Sequence, residues 1–328
     1  MLKRIVSFVL CCTLAAECCL SAGCAEQTQT TSASRPLETA GTESAASTAG
    51  TSQTPEASSE PIETSEPQHF FTKTLTYDGA EYTFEYSLTS GISLVDISTE
   101  KEELVIPAAI EDSDRKIWRI SKISSKALYY LSGVKKLVLS EGIEGLDPNF
   151  PIGLKTTLEE LYLPASLQIL GTGYENTEDF QGYLLSVKKG IYGAEDNPWY
   201  CDVDGVLFTK DGAMLLRYPT ARDSLDYAVP QGTQMIASHA FDGSNVQSLT
   251  LPEGLLAVKE AALSGCSGVK KLHIPASVAR IDKGALPPTL TELSVSPDNE
   301  NFYVEIEDGT PHLYNRYGEL LYEPRTGV

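Results

Sequence analysis

The chain has 328 residues, a formal net charge of −20 and 41% hydrophobic residues. That length allows one or two globular domains or one elongated array. The acidic balance leaves no clustered Lys/Arg excess for phosphate backbones, so no nucleic-acid partner is expected, and electrostatic docking on anionic lipid is disfavoured.

The first segment, residues 1–24, reads as a targeting sequence. Lys3 and Arg4 precede the apolar run Ile5–Ala16, and small residues follow, the order of a secretory signal. The run is shorter than the roughly 20 residues that span a bilayer. The stretch LSAGCAEQ (Leu20–Gln27) resembles a lipobox, with Ser21 where Leu is usual and Leu20 one place earlier. Cys24 is therefore expected to be lipidated and to hold the protein on the bilayer at the extracellular side. The alternative is ordinary cleavage, for example after Ala25, and release as a secreted protein.

Residues 25–68 are mostly Ser, Thr, Ala, Glu and Pro, with no aromatic residue and only Leu37 and Ile62 as large aliphatics. Such a segment cannot bury enough apolar surface to offset its ordering entropy, so a disordered stalk is expected. Five of the seven cysteines lie in the leader. The remaining two, Cys201 and Cys266, are expected as separate buried thiols.

From residue 69 the composition becomes that of a folded body. Residues 69–99 contain LTYDGAEYTFEYSL (Leu75–Leu88), whose alternation predicts an N-terminal β cap. A repeat then begins. ELVIP (Glu103–Pro107), ELYLP (Glu160–Pro164), SLTLP (Ser248–Pro252) and KLHIP (Lys271–Pro275) align, with KLVLS (Lys136–Ser140), DYAVP (Asp226–Pro230) and ELSVS (Glu292–Ser296) as relatives. From Pro230 to Pro252, Pro275 and Ser296 the intervals are 22, 23 and 21 residues. An aliphatic residue follows six positions after the proline, then Ala and Phe or Leu: Ile236 with Ala240–Phe241, Val258 with Ala262–Leu263, Ile281 with Ala285–Leu286. Ile123 with Ala127–Leu128 follows Pro107 at a longer interval, so Asp112–Trp118 reads as an insertion. Two aliphatics flanking one outward residue predict a short strand with one buried face. Proline ends it, since it donates no hydrogen bond. One unit cannot bury its own apolar face, whereas stacked units cover one another.

The segments IPASVARIDKGAL (Ile274–Leu286), VPQGTQMIASHAF (Val229–Phe241) and LPEGLLAVKEAALSGC (Leu251–Cys266) resemble the BspA-type leucine-rich repeats of bacterial surface proteins. The resemblance implies a leucine-rich-repeat solenoid, mainly β, with short parallel strands, one per repeat of about 22–24 residues. Short helical or irregular returns and β-hairpin capping units complete it. A first repeat block is expected over 100–219 and a second over 220–328. Ile169–Tyr200 lacks the Ala–Phe step and is expected to be an irregular insertion. Leu184–Pro219 parallels Glu292–Pro324, LSV strand against LSV strand, and each copy is expected to close its block with a hairpin turning at Gly212 or Gly318. The resemblance further implies adhesion or recognition at a cell surface by binding protein or glycan, without catalysis. A structural cell-envelope protein and a polysaccharide-acting enzyme are the alternatives.

No phosphate loop, HExxH or GxSxG motif occurs, so no catalytic residue, cofactor or metal is expected. His69, His239, His273 and His312 lie in different units and are expected on the surface. Tyr174–Phe180 and Asp202–Gly205 lack the ligand spacing of a calcium loop, and the latter reads as a hairpin lead-in. The candidate binding face consists of the outward strand positions Lys136, Glu160, Tyr162, Thr250, Lys271, His273 and Glu292, with Val138 and Ser294 beside them. Tyr162 and His273 are the expected contacts. The aromatics Tyr174, Phe180, Tyr183 and Tyr192 form a rival site.

Overall fold

A computed structural model describes residues 71–87, 91–128, 131–146, 157–170 and 187–324. The leader with Cys24, the Ser/Thr-rich segment 25–68, His69, Tyr174, Phe180 and Tyr183 lie outside the described residues.

The body begins with an antiparallel sheet of β1 (Phe71–Tyr77), β2 (Ala80–Ser87) and β3 (Gly91–Thr99). Asp78 and Gly79 make its first turn, both with positive φ, 46° and 72°, the conformation a two-residue hairpin demands. Its alternation buries Leu75, Tyr82, Phe84, Leu94 and Ile97 on one face. The strands that follow are β4 (Glu103–Ile106), β5 (Ala109–Glu111), β6 (Ile117–Arg119), β7 (Lys122–Ile123), β8 (Lys136–Leu139), β9 (Gly145–Leu146), β10 (Glu160–Leu163), β11 (Ile169–Leu170) and β12 (Gly190–Gly193). Then come β13 (Tyr200–Val203), β14 (Val206–Thr209), β15 (Met214–Arg217), β16 (Asp226–Ala228), β17 (Met235–Ile236), β18 (Ser248–Thr250) and β19 (Ala257–Val258). The last are β20 (Lys271–Ile274), β21 (Arg280–Ile281), β22 (Glu292–Val295), β23 (Phe302–Glu307), β24 (Thr310–Asn315) and β25 (Leu320–Tyr322).

Each repeat contributes one strand to each of two parallel ladders. The L-x-[IL] strands stack as β4–β8–β10–β12, β16–β18 and β20–β22. The short strands holding the later aliphatic stack as β7–β9–β11 and within β15–β17–β19–β21. Leu104, Leu137, Leu161 and Leu272 point inward from the first set, and Ile123, Ile236, Val258 and Ile281 from the second; all are buried. A third column links the returns: Tyr218 N donates to Ala240 O (2.9 Å), Phe241 N to Ala262 O (3.0 Å) and Leu263 N to Ala285 O (2.8 Å). The buried alanines explain themselves there, because a larger side chain would hold these backbones apart. The carbonyls of Pro164, Pro230, Pro252 and Pro275 each start the following turn, as in Val278 N donating to Pro275 O at 3.3 Å.

The segment expected as an insertion after Pro107 is the hairpin β5–β6. It buries Trp118 against Phe84, their ring centroids 5.2 Å apart. Asp112 accepts from Trp118 Nε1 at 3.0 Å and from two backbone N–H groups of the turn.

Two expectations need correction. The irregular insertion is shorter than Ile169–Tyr200, because β12 joins the first ladder in register with β10. The equivalent of Glu292–Val295 is therefore Gly190–Gly193 and not the LSV stretch ending at Val187. Second, the internal hairpin β13–β14–β15 does not close a block. Met214 and Leu215 pair in parallel with Met235 and Ile236, so β15 serves at once as the hairpin's last strand and the next ladder's first. Asp202–Gly205 does lead into the β14–β15 hairpin that turns at Gly212, with Asp204 and Gly205 themselves forming the β13–β14 turn at positive φ.

Both hairpin units are bolted to the preceding repeat by one asparagine. Asn197 Nδ2 donates to Pro164 O (2.8 Å) and Leu167 O (3.1 Å), while its Oδ1 accepts from Trp199 N (2.7 Å) and Tyr200 N (2.8 Å). Asn299 repeats the pattern with Pro275 O, Val278 O, Asn301 N and Phe302 N. Buried Arg217 joins the hairpin to the next return through the carbonyls of His239, Ala240 and Asp242. Burial lowers its guanidinium to about 10, so it remains charged at neutral pH.

Candidate functional site

Side chains alternate along a strand, so the residues between the inward aliphatics must face away from the core. In the first ladder the register aligns Val105, Val138, Tyr162 and Tyr192 across β4, β8, β10 and β12. Val105 is 45% exposed and the other three are half-buried. The equivalent places in the later ladders hold Ala228 beside Thr250 and His273 beside Ser294. The outward face thus changes along the chain from aliphatic and aromatic to small and polar.

Tyr162 and Tyr192, taken as rivals in the sequence, form one feature. Their rings stack with centroids 4.8 Å apart and planes 26° apart. Lys136 Nζ lies 5.2 Å from the Tyr162 centroid, reaching it from the neighbouring strand on the other side. Tyr162 Oη donates to Glu160 Oε2 at 3.0 Å. Burial raises the Tyr192 phenol above its ordinary value. Tyr162 is thus clamped on both ring faces and offers its edge outward.

The charges beside this row pair with one another. Lys136 lies 3.8 Å from Glu103. One residue before each strand, Lys135 meets Glu102 at 2.7 Å and Lys189 meets Glu159 at 2.5 Å. The Glu102 carboxylate raises the Lys135 ammonium, and Lys189 lowers Glu159. Lys271 and Glu292, on adjacent strands, lie 2.5 Å apart. These exposed pairs add little stability, about 0–1 kcal/mol each. Their consequence is a face whose charges cancel locally.

Of the expected face, Thr250, Lys271, His273 and Glu292 are exposed, while Lys136, Glu160 and Tyr162 are half-buried. His273 Nδ1 sits 2.9 Å from Ser294 Oγ. His239 and His312 depart from the surface expectation. Both are half-buried, His239 because its residue turns the return at φ 57° under the Arg217 guanidinium. Cys201 and Cys266 are free thiols. Cys266 is buried, which pushes its thiol up to about 11. Cys201 is half-buried, a correction that follows from its place on β13, the outer strand of its sheet. Among the described residues no three His, Cys, Asp or Glu side chains converge to hold a metal, and no helix is long and apolar enough to cross a membrane.

Residues 224–305 match the BspA-type leucine-rich-repeat region, in six copies. These residues carry BspA-type leucine-rich repeats. The strands within them are β16 through β22, and Cys266 is buried among them. No curated protein matches the chain. Among solved structures it is similar to the pneumococcal vaccine antigen PcpA, at 18% identity over 70% of this chain and 82% of that one, TM-score 0.34. It is similar to a leucine-rich repeat protein from Eubacterium ventriosum, at 15% identity over 69% and 72%, TM-score 0.38. A leucine-rich cell-surface protein from Faecalibacterium prausnitzii aligns at 18% identity over 77% of this chain and 62% of that one, TM-score 0.37.

Proposed function

We propose that this is an exported protein, held on the extracellular side of the membrane by a lipid on Cys24, that recognises protein or glycan partners through the outward face of its repeat strands. It acts in adhesion or recognition and carries out no catalysis. The observation that carries the reading is the in-register row Val105, Val138, Tyr162 and Tyr192. A row of apolar side chains is costly to leave facing water unless something covers it, and the neighbouring charges pair among themselves. The basic, then apolar, leader before Cys24 supports export.

The test is a binding screen of the purified body against glycans, extracellular-matrix proteins and cell walls, with the same glycans assayed for cleavage. Saturable binding should be lost in the Tyr162→Ala, His273→Ala double variant. Binding that survives this variant would move recognition off the strand face, and cleavage products would make the protein an enzyme. Cys24→Ala should transfer the protein from membrane to medium; unchanged retention would refute the anchor.

A further inference from the structure

The N-terminal sheet ends on a strand whose outer edge is bare. β1 pairs with β2 along its whole length, from Phe71↔Tyr86 to Tyr77↔Ala80, with no bulge. Among the described residues no strand and no backbone hydrogen bond reaches its other side. The Asp78–Gly79 turn fixes which groups are free. In a two-residue hairpin the residues flanking the turn form a hydrogen-bonded pair, and such pairs then alternate along the strands. Phe71, Lys73, Leu75 and Tyr77 therefore direct their N–H and C=O groups to β2. Those of Thr72, Thr74 and Thr76 point out from the edge, and all three residues are exposed. Proteins blunt such edges with proline, bulges or projecting charges. β1 has no proline and no acidic residue. Its one charge, Lys73, lies on the core side and pairs with Asp112 at 3.6 Å.

Two aromatic residues of this strand are left open to water. Phe71 is 55% exposed and Tyr77 46%, although both share the face that buries Leu75. One face of the Phe71 ring stacks on Tyr86 of β2, with centroids 5.5 Å apart. Its other face is turned away from β2, toward the free edge. Tyr77 stands opposite Ala80, which is too small to cover it. The two aromatics sit three residues to either side of Thr74.

We propose that β1 pairs with β1 of a second copy of this chain, antiparallel about a two-fold axis at Thr74. Such a contact joins the same patch of both copies, so the patch must complement itself. Only this register engages all three free threonines and both aromatics. Thr72 meets Thr76 of the second copy and Thr74 meets Thr74, which satisfies every N–H and C=O of the free edge. Phe71 meets Tyr77 of the second copy, twice by symmetry. These are the closely spaced, non-hydrogen-bonded positions, where cross-strand aromatic pairs interact well. Lys73 falls opposite Leu75, its charge already matched by Asp112. The net charge of −20 repels copies elsewhere, but β1 brings no negative charge to the contact. One strand pair is smaller than the roughly 1,200–2,000 Å² interface of a stable complex, so the dimer is a weak one.

The exported chain, carrying Cys24→Ala so that no lipid drives association, is followed by sedimentation velocity. It should pass from monomer to dimer between about 10 µM and 1 mM. Thr74→Pro removes a donor that the monomer does not use. It should remain monomeric across that range, with its urea midpoint near that of the parent. Should the proline disturb β1, Tyr77→Ala, at an exposed position, gives an independent reading: dimerisation about tenfold weaker. Register is read by cross-linking. Thr74→Cys should form a disulfide-linked dimer under mild oxidation, since hydrogen-bonded partners stand about 5.5 Å apart. Thr72→Cys should not, because it faces Thr76 of the second copy. A monomer at about 1 mM, dimerisation unchanged by both Thr74→Pro and Tyr77→Ala, or Thr72→Cys cross-linking as readily as Thr74→Cys would overturn the proposal.

Discussion

Replacing Asn197 by alanine removes four hydrogen bonds from a side chain that water does not reach. The donors to Pro164 O and Leu167 O are lost, and Trp199 N and Tyr200 N lose their acceptor. At about 1 kcal/mol net for each bond, the cost is about 4 kcal/mol. Asn299 makes the matching bonds but is half-buried, so water can replace part of what is removed and its alanine variant should lose about 1–2 kcal/mol. Asn197→Asp is sharper still. It keeps the acceptor and sets a carboxylate against two carbonyl oxygens, which raises its folded pKa above the unfolded value. The stability that its protonated form retains is fully present below that unfolded value, about 4, and is lost as pH rises through the folded pKa. The assay is urea unfolding of each variant, read as a change in midpoint at constant slope, with Asn197→Asp measured across pH against the unmodified protein. A loss below about 0.5 kcal/mol for Asn197→Ala, the range of surface substitutions, would refute the clamp. Equal losses at Asn197 and Asn299 would refute the role of burial.

Ile281→Ala should cost about 2–5 kcal/mol in the same assay, as for other buried aliphatics, since Ile281 is 6% exposed; a near-neutral effect would place it on the surface. Asp112 is held down to about 2, chiefly by the hydrogen bond from Trp118. A depressed folded pKa contributes stability above the unfolded value of about 4 that disappears as pH falls from there toward 2. Trp118 fluorescence should therefore report loosening of the β5–β6 hairpin across that window, and Asp112→Asn should abolish this component of the pH response. A pH profile identical in the two proteins would exclude Asp112 as its source.

The repeat was legible because its signal is local and recurs. Leu272, Ile274, Ile281, Ala285 and Leu286 are apolar at spacings that one strand, one corner and one return dictate, and the same spacings in several copies make the burial pattern readable. Lys271 and His273 were legible as outward for the same reason. What the sequence left undecided depended on register between strands far apart in the chain. LSV matched LSV by eye, yet the hydrogen-bonding of β10 selects Gly190–Gly193, because pairing is set by which residues reach the neighbouring strand and not by letters. Tyr192 looked like part of an insertion until that register set it against Tyr162.

The amino-acid sequence by itself therefore determined the unit, its inward residues and the face each strand turns to water. The tertiary structure decided which outward residues become neighbours. It joined β15 to the ladder and set Tyr192 against Tyr162. The physical reason is one of range. Burial and turn preferences act within a repeat, whereas the stacking of two tyrosines exists only once separate repeats have been brought side by side.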